Sequence, residues 1–129
     1  MATLLDTGLF ISADVEPFNP AYFSYSTGGA YPHSSSLPIL PLFLYFAWVL
    51  PTSDSFFLAA IQESAEVILN QAISEGQDVG GSNQIIYSNY ALPGTPLESM
   101  FGDNVDRLKS IRAEYDPGNV MGLTGGFRF

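Results

Sequence analysis

The chain of 129 residues contains no cysteine and only one histidine, His33. Without cysteine these residues can form no disulfide, no thiolate nucleophile and no cysteinyl bond to a flavin. A lone histidine also excludes a multi-histidine metal site within one chain, so we predict no metal centre.

Basic residues are also scarce, and they are confined to one end of the chain. All four Lys and Arg side chains lie in the last 23 positions, whereas residues 1–106 carry eleven Asp and Glu, and the formal net charge is −9. Nucleic-acid binding requires a basic stripe, which this chain cannot build. Anionic membrane surfaces are disfavoured for the same electrostatic reason.

No apolar run is long enough to cross a bilayer. The longest, Ile39–Leu50, has 12 residues and is broken by Pro41, whereas a membrane-spanning helix needs about 20. We expect this run to be a buried strand. Residues 1–6 carry no basic side chain of the kind that begins a secretory signal, and the chain has no Asn-x-Ser/Thr glycosylation acceptor. A cytoplasmic location is therefore predicted.

The sequence is rich in apolar and aromatic residues, at 47% and 14% of the chain. Residues 1–129 are long enough for one domain with its own core. The aromatic content predicts an apolar interior, an apolar pocket or a subunit interface. The pattern predicts an α+β fold, with helices packed on one face of a small, mainly antiparallel sheet. Strands are expected at 7–15, 42–50 and 83–90, and helices at 54–76, 97–101 and 103–113.

Four motifs close the chain in a fixed order: Tyr87-Ser88-Asn89-Tyr90, Gly102-Asp103-Asn104-Val105-Asp106-Arg107-Leu108, Tyr115-Asp116-Pro117 and Gly125-Gly126-Phe127-Arg128-Phe129. This order resembles the C-terminal end of fungal FAD-linked oxidases of the berberine bridge enzyme type. Upstream, Gly28-Gly29, Tyr31-Pro32-His33 and Trp48 follow the order seen in plant members. The resemblance implies the substrate-binding portion of such an oxidase, without its FAD-binding domain.

The resemblance also implies a set of site residues. Tyr87, Asn89 and Tyr90 would line the face that meets flavin and substrate, with His33 nearby. On a strand of period two, Tyr87 and Asn89 share one face and Tyr90 lies on the other. That pair is either a packed cross-strand pair or a set of donors for a ligand carbonyl. We take Tyr87, Asn89 and His33 as candidate catalytic residues. The candidate substrate-binding residues are Tyr22, Tyr25, Tyr31, Trp48 and Tyr90.

Two functions of different class are compatible with these residues. The first is a cofactor-independent cyclase or isomerase, with a Diels–Alderase-like ring closure on an apolar polyene or polyketide-type intermediate of secondary metabolism. The alternative is the substrate-domain half of a split oxidoreductase that uses FAD, or a non-catalytic module that binds a small molecule. In either case we expect a hydrophobic small-molecule ligand. For the first function we expect a homodimer that covers the exposed apolar face, whereas the second predicts a monomer that aggregates unless a flavoprotein partner covers that face.

Overall fold

The computed structural model of the protein describes residues 8–33, 40–79 and 84–129. The chain divides into two compact units. The first comprises Met1–Pro17 with Leu40–Gln84, and the second comprises Phe18–Ile39 with Ile85–Phe129. The prediction that residues 1–129 form a single substrate-binding domain stays a prediction.

A two-stranded antiparallel sheet forms the first part of the first unit. Strand β1, Gly8–Val15, pairs with strand β2, Leu42–Trp48, in a register that runs from Gly8 opposite Trp48 to Val15 opposite Leu42. Both segments are rich in aromatic and branched side chains, which favour the extended backbone. The two predicted strands are therefore confirmed, although β2 ends two residues before Leu50.

The prediction that β2 is buried on both faces is wrong. Leu42 and Tyr45 are 37% and 46% exposed, and β1 exposes Leu9 and Phe10 still more. A strand is buried on both faces only when each face is covered by another layer. Within the described ranges the sheet has two strands, and the helix Asp54–Ser74, called α2, contacts β2.

Helix α2, Asp54–Ser74, follows β2 through a short 3-10 turn, Pro51–Ser53. Its beginning agrees with the sequence, since Ser53 is the N-cap residue, although the Ser53 side chain makes no capping hydrogen bond. Its end also agrees, because the chain turns at Gly76, whose φ is +84°. The apolar side chains that recur at helical spacing along α2 are only partly buried: Phe57 is fully buried, whereas Ile68 is 39% exposed.

The corner between β2 and α2 is fixed by Trp48. Its indole ring stacks on Phe57 with the ring centroids 5.0 Å apart. Its Nε1 donates a hydrogen bond of 2.6 Å to Oδ1 of Asp54 in the first turn of α2. The indole therefore has both an apolar partner for its ring and an acceptor for its N–H, as a partly buried tryptophan requires.

The described part of the second unit contains three α-helices: α1, Pro20–Ser24; α3, Leu97–Phe101; and α4, Val105–Tyr115. The core of this unit consists of Met100, Phe101 and Val105, against which partly buried side chains pack. Those side chains are Ile86, Ala91, Leu97, Leu108, Phe127 and Phe129. The Gly-Gly-Phe-Arg-Phe tail is thus part of the core, through its two phenylalanines.

The break between α3 and α4 falls at Gly102, as the sequence predicted. Gly102 has a φ of +52°, which favours glycine, and a Cβ there would lie 3.4 Å from Cγ of Pro32. The last helix runs from Val105 to Tyr115, two residues later at each end than predicted. The sequence Thr95-Pro96-Leu97-Glu98 has the form of a capping box, but the box does not form, since Thr95 Oγ1 donates to the carbonyl of Leu92.

The third predicted strand is also wrong. Residues 84–87 are irregular, Ser88–Tyr90 form a 3-10 turn, and residue 83 lies outside the described residues. The backbone N–H of Ile86 donates to the carbonyl of Ser99, next to the core, rather than to a neighbouring strand. Tertiary contacts therefore override the β propensity of this segment. The α+β class is confirmed, with a smaller sheet than expected.

Among the described residues, no helix combines the length and the apolar character that crossing a membrane requires. The predicted homodimer stays a prediction. The apolar side chains exposed on β1 and β2 are the surface that such a dimer would cover.

We predict that Phe57→Ala lowers the free energy of unfolding by about 3 kcal/mol, because it leaves a cavity under Trp48. Phe56→Ala is the matched control on the same helix, and we expect a smaller loss because Phe56 is 41% exposed. Urea unfolding followed by far-UV circular dichroism measures both. Equal losses for the two variants would contradict this packing.

Candidate ligand-binding site

Five rings of the second unit form a continuous cluster, which we call the ring cluster: Phe23, Tyr31, His33, Tyr87 and Tyr90. The centroids of Tyr31 and Tyr87 are 5.5 Å apart in an edge-to-face arrangement. Tyr87 and Tyr90 meet at 5.0 Å with their planes at 90°. His33 lies 4.6 Å from Phe23 and is nearly parallel to Tyr31 at 6.3 Å. The cluster therefore joins two segments that are more than 50 residues apart in sequence.

The side-chain amide of Asn104 connects the loop just before Tyr31 to the start of α4. Nδ2 of Asn104 lies 3.3 Å from the carbonyl oxygen of Gly29 and 3.1 Å from that of Ala30. Asn104 is the last residue of the 3-10 turn that precedes α4. The Asn of the Gly-Asp-Asn-x-x-Arg-Leu motif thus holds the loop that carries Tyr31 and His33.

The hydrogen bond of His33 determines which of its nitrogens carries the hydrogen in the neutral ring. Nδ1 of His33 lies 2.9 Å from the carbonyl oxygen of Tyr31. A carbonyl oxygen only accepts, so Nδ1 must carry the hydrogen in this arrangement. In the neutral ring, Nε2 is then an acceptor that can receive a hydrogen bond or a proton from a bound molecule.

Tyr87 and Asn89 are brought together, but not by a strand. Nδ2 of Asn89 donates a hydrogen bond of 2.9 Å to the phenol oxygen of Tyr87 across the 3-10 turn. Because this bond uses the oxygen as an acceptor, the O–H of Tyr87 can still donate to a ligand. The expectation that Tyr87 and Tyr90 point to opposite faces is wrong, since a turn rather than a period-two strand places them in contact.

Tyr31 is held as a neutral phenol. Burial raises the pKa of Tyr31 above its usual value of 10.0, and the neighbouring Tyr87 raises it further. Both causes disfavour the phenolate, because a buried negative charge loses hydration and would face a second ionisable phenol. Tyr31 is consequently a hydrogen-bond donor, not a base, over the physiological range.

Two clefts open beside the ring cluster, and His33 lines both. The first has a volume of about 360 Å³ and takes its charged group, Arg107, from α4. The second has a volume of about 350 Å³ and is lined by Tyr22 and Tyr25. Each volume is near the lower end of the range for small-molecule sites. Tyr22 and Tyr25 therefore line the same cleft as His33.

Seven of the eight predicted site residues lie in the second unit, and the eighth, Trp48, belongs to the first, where it stacks on Phe57. Two residues that the sequence did not select also line the first cleft, Asn104 and Arg107. The signal that could have found both residues was their common motif, with its Asn and Arg three positions apart.

The C-terminal segment of the chain matches the model of a known protein family. Residues 86–124 match the family model described as "Berberine and berberine like". The C-terminal part of the chain is therefore similar to the berberine bridge enzyme-like family. The matched span includes Tyr87, Asn89 and Arg107, whereas Tyr31 and His33 lie upstream of it. Neither a curated protein nor a solved structure matches the chain.

This family suggests FAD-linked oxidase chemistry, so the fit of a flavin to the described residues matters. Neither cleft has the size of a dinucleotide site, at about 360 and 350 Å³. A pyrophosphate is usually held by a glycine-rich turn at a helix N-terminus, and no dinucleotide fingerprint occurs in the sequence. The described residues therefore do not hold FAD by themselves. Among them, no three His, Cys, Asp or Glu side chains group as metal ligands.

We predict that Tyr31 makes folding sensitive to alkaline pH. The unfolded chain ionises a tyrosine near pH 10, while the folded state keeps Tyr31 protonated to higher pH. The stabilisation is therefore fully present below pH 10 and is lost as the pH rises through the raised pKa. Urea unfolding at pH 9 and pH 11 should show a larger loss for the wild type than for Tyr31→Phe. Tyr25→Phe is the exposed control, and its loss should equal that of the wild type.

The Gly28–Gly29 pair yields a second prediction. Gly28 has a φ of +127°, which side-chain-bearing residues rarely adopt, whereas the φ of Gly29 lies outside that range. A Cβ built at either position meets nothing within 4 Å. Gly28→Ala should therefore lower the free energy of unfolding by about 1 kcal/mol or more. Gly29→Ala should leave it almost unchanged. Chemical denaturation measures both variants, and the reverse order would contradict the loop geometry.

Proposed function

We propose that the second unit is the substrate-binding face of an FAD-linked oxidoreductase of the berberine bridge enzyme-like type. The observation that carries this proposal is the ring cluster, in which the family-matched Tyr87 meets Tyr31 at 5.5 Å beside two clefts. Aromatic walls with a few placed donors suit an apolar, unsaturated substrate that bears a carbonyl or a hydroxyl group.

The chain's own residues would bind and orient the substrate. Tyr31, held neutral by burial, and Tyr87, whose oxygen already accepts from Asn89, are both able to donate to a substrate oxygen. His33 offers Nε2 as an acceptor because its Nδ1–H is used by a backbone carbonyl. Donors and an acceptor on one aromatic surface fix a single orientation of a bound molecule.

A flavin would supply the oxidising chemistry of this family. The described residues do not fit a complete FAD site, so the cofactor would be bound mainly by residues other than these. In this proposal, the contribution of the second unit is restricted to substrate binding, orientation and exclusion of water.

A second candidate is a cofactor-independent cyclase or isomerase that acts on an apolar polyene or polyketide-type intermediate. The contact between Tyr31 and Tyr87 supports it, because a phenol that hydrogen-bonds a conjugated carbonyl lowers the barrier to ring closure without electron transfer. Clefts that hold one reactive conformer of the substrate would contribute further. Tyr87, Asn89 and His33 would be the polar residues of either activity.

The proposed binding role predicts a carbonyl-dependent affinity. Chalcone, a conjugated aryl ketone, should bind more tightly than 1,3-diphenylpropene, which has similar rings but no carbonyl. Tyr87→Phe should weaken chalcone binding by about fivefold, the value of one hydrogen bond, and leave 1,3-diphenylpropene unchanged. Calorimetric titration measures both ligands, and Tyr115→Phe, an exposed position, is the control variant. Equal affinity of the wild type for the two probes would contradict the proposal.

A further inference from the structure

Arg107 gives the first cleft a positive charge, although the chain as a whole is acidic. The chain has a net charge of −9, but the residues lining this cleft include Arg107 and no Asp or Glu. Asp103 and Asp106 are close to Arg107 in sequence, yet they do not line the cleft. A cation among neutral lining residues makes this cleft a place where an acidic protein can bind an anion.

The other polar groups of the cleft are largely committed to the protein itself. Nδ2 of Asn104 bonds the carbonyls of Gly29 and Ala30, and Oγ of Ser26 lies 3.2 Å from the carbonyl oxygen of Gly28. Nδ1 of His33 bonds a backbone carbonyl in the same way. The guanidinium of Arg107 brings five N–H donors in a planar fork, which matches the two oxygens of a carboxylate.

The walls of the cleft select the rest of the ligand. Phe23, Tyr31 and His33 line it together, with the His33 ring 4.6 Å from Phe23 and nearly parallel to Tyr31. Ring surfaces of this kind favour contact with another aromatic ring. The Gly28–Gly29 pair leaves the space beside its backbone open, since no atom lies within 4 Å of a Cβ built at either position.

We propose that this cleft binds the carboxylate of an aromatic acid, with Arg107 as the carboxylate-binding residue and the rings of Tyr31 and His33 against the aryl group. The inference rests on the proposed substrate-binding role, and it names the class of molecule, an aryl carboxylate, that the second unit recognises. Arg107 acts through charge and a bidentate hydrogen bond, so a neutral isostere of the acid lacks the main interaction.

The test compares 4-hydroxybenzoate with 4-hydroxybenzamide, two probes of nearly equal shape that differ in charge. His33 is the only histidine, so tag-free protein labelled with ¹³C-histidine gives one imidazole signal that reports directly on the cleft. We expect the acid to shift this signal with at least about fivefold higher affinity than the amide. Raising the salt concentration should reduce that ratio.

The variants assign the effect to one side chain. Arg107→Gln should reduce the affinity for the acid to that for the amide and leave the amide unchanged, while Arg107→Lys should keep part of the preference. Arg128→Gln, at an exposed position of the same unit, should bind as the wild type does. Far-UV circular dichroism checks folding, and the lysine variant keeps the test valid if the glutamine variant unfolds.

Three results would overturn the inference: equal affinity for acid and amide, an unchanged preference in Arg107→Gln, or no shift with either probe at millimolar concentration. The two proposals fail separately, because neither measurement requires turnover. If 4-hydroxybenzoate binds through Arg107 while chalcone binds without regard to its carbonyl, the anion site stands and the role of Tyr87 falls. The opposite pair of results would leave only the proposed function.

Discussion

The hydrogen bonds from Asn104 to the carbonyls of Gly29 and Ala30 are the interaction on which the second unit depends. They join residues 74 and 75 positions apart, and they place the loop carrying Tyr31 and His33 beside the segment carrying Tyr87. Without them, ordering that loop would rest on the packing of Pro32 beside Gly102 and on ring contacts, each of which contributes only about 1 kcal/mol. One amide placed at the start of a helix therefore helps to assemble the proposed binding surface.

Little of this molecule is deeply buried, and this shapes both of its units. In the described residues the buried apolar side chains are Phe23, Phe57, Met100, Phe101 and Val105. Much of the remaining apolar surface lies on the sheet and on α2, where it faces solvent. Aromatic contacts near the surface stabilise the fold, and in the proposed site they also present ring faces to a ligand. The proposed site is open, and its specificity would come from a few donors and one cation.

Local patterns predicted α2, α3 and α4 well, but they missed the short helix α1 and were wrong about the third strand. The glycines at 76 and 102 mark helix ends because their backbone angles exclude most other residues, and such signals are readable in sequence. The segment at 84–90 has strand-like residues, yet Ile86 bonds to Ser99 and its neighbours turn. Tyr87 and Asn89 do meet, but across a 3-10 turn rather than on the strand face that the sequence predicted. The cleft at Arg107 was missed because its walls come from segments far apart in sequence.

The measurement that tests the account most directly is the nuclear Overhauser contact between the rings of Tyr31 and Tyr87, in the wild type and in Asn104→Ala. The account predicts a contact in the wild type, because the ring centroids are 5.5 Å apart. It predicts loss of that contact in Asn104→Ala, with the helical circular dichroism retained. A wild type without the contact, or a variant that keeps it, would contradict the claim that Asn104 assembles the site.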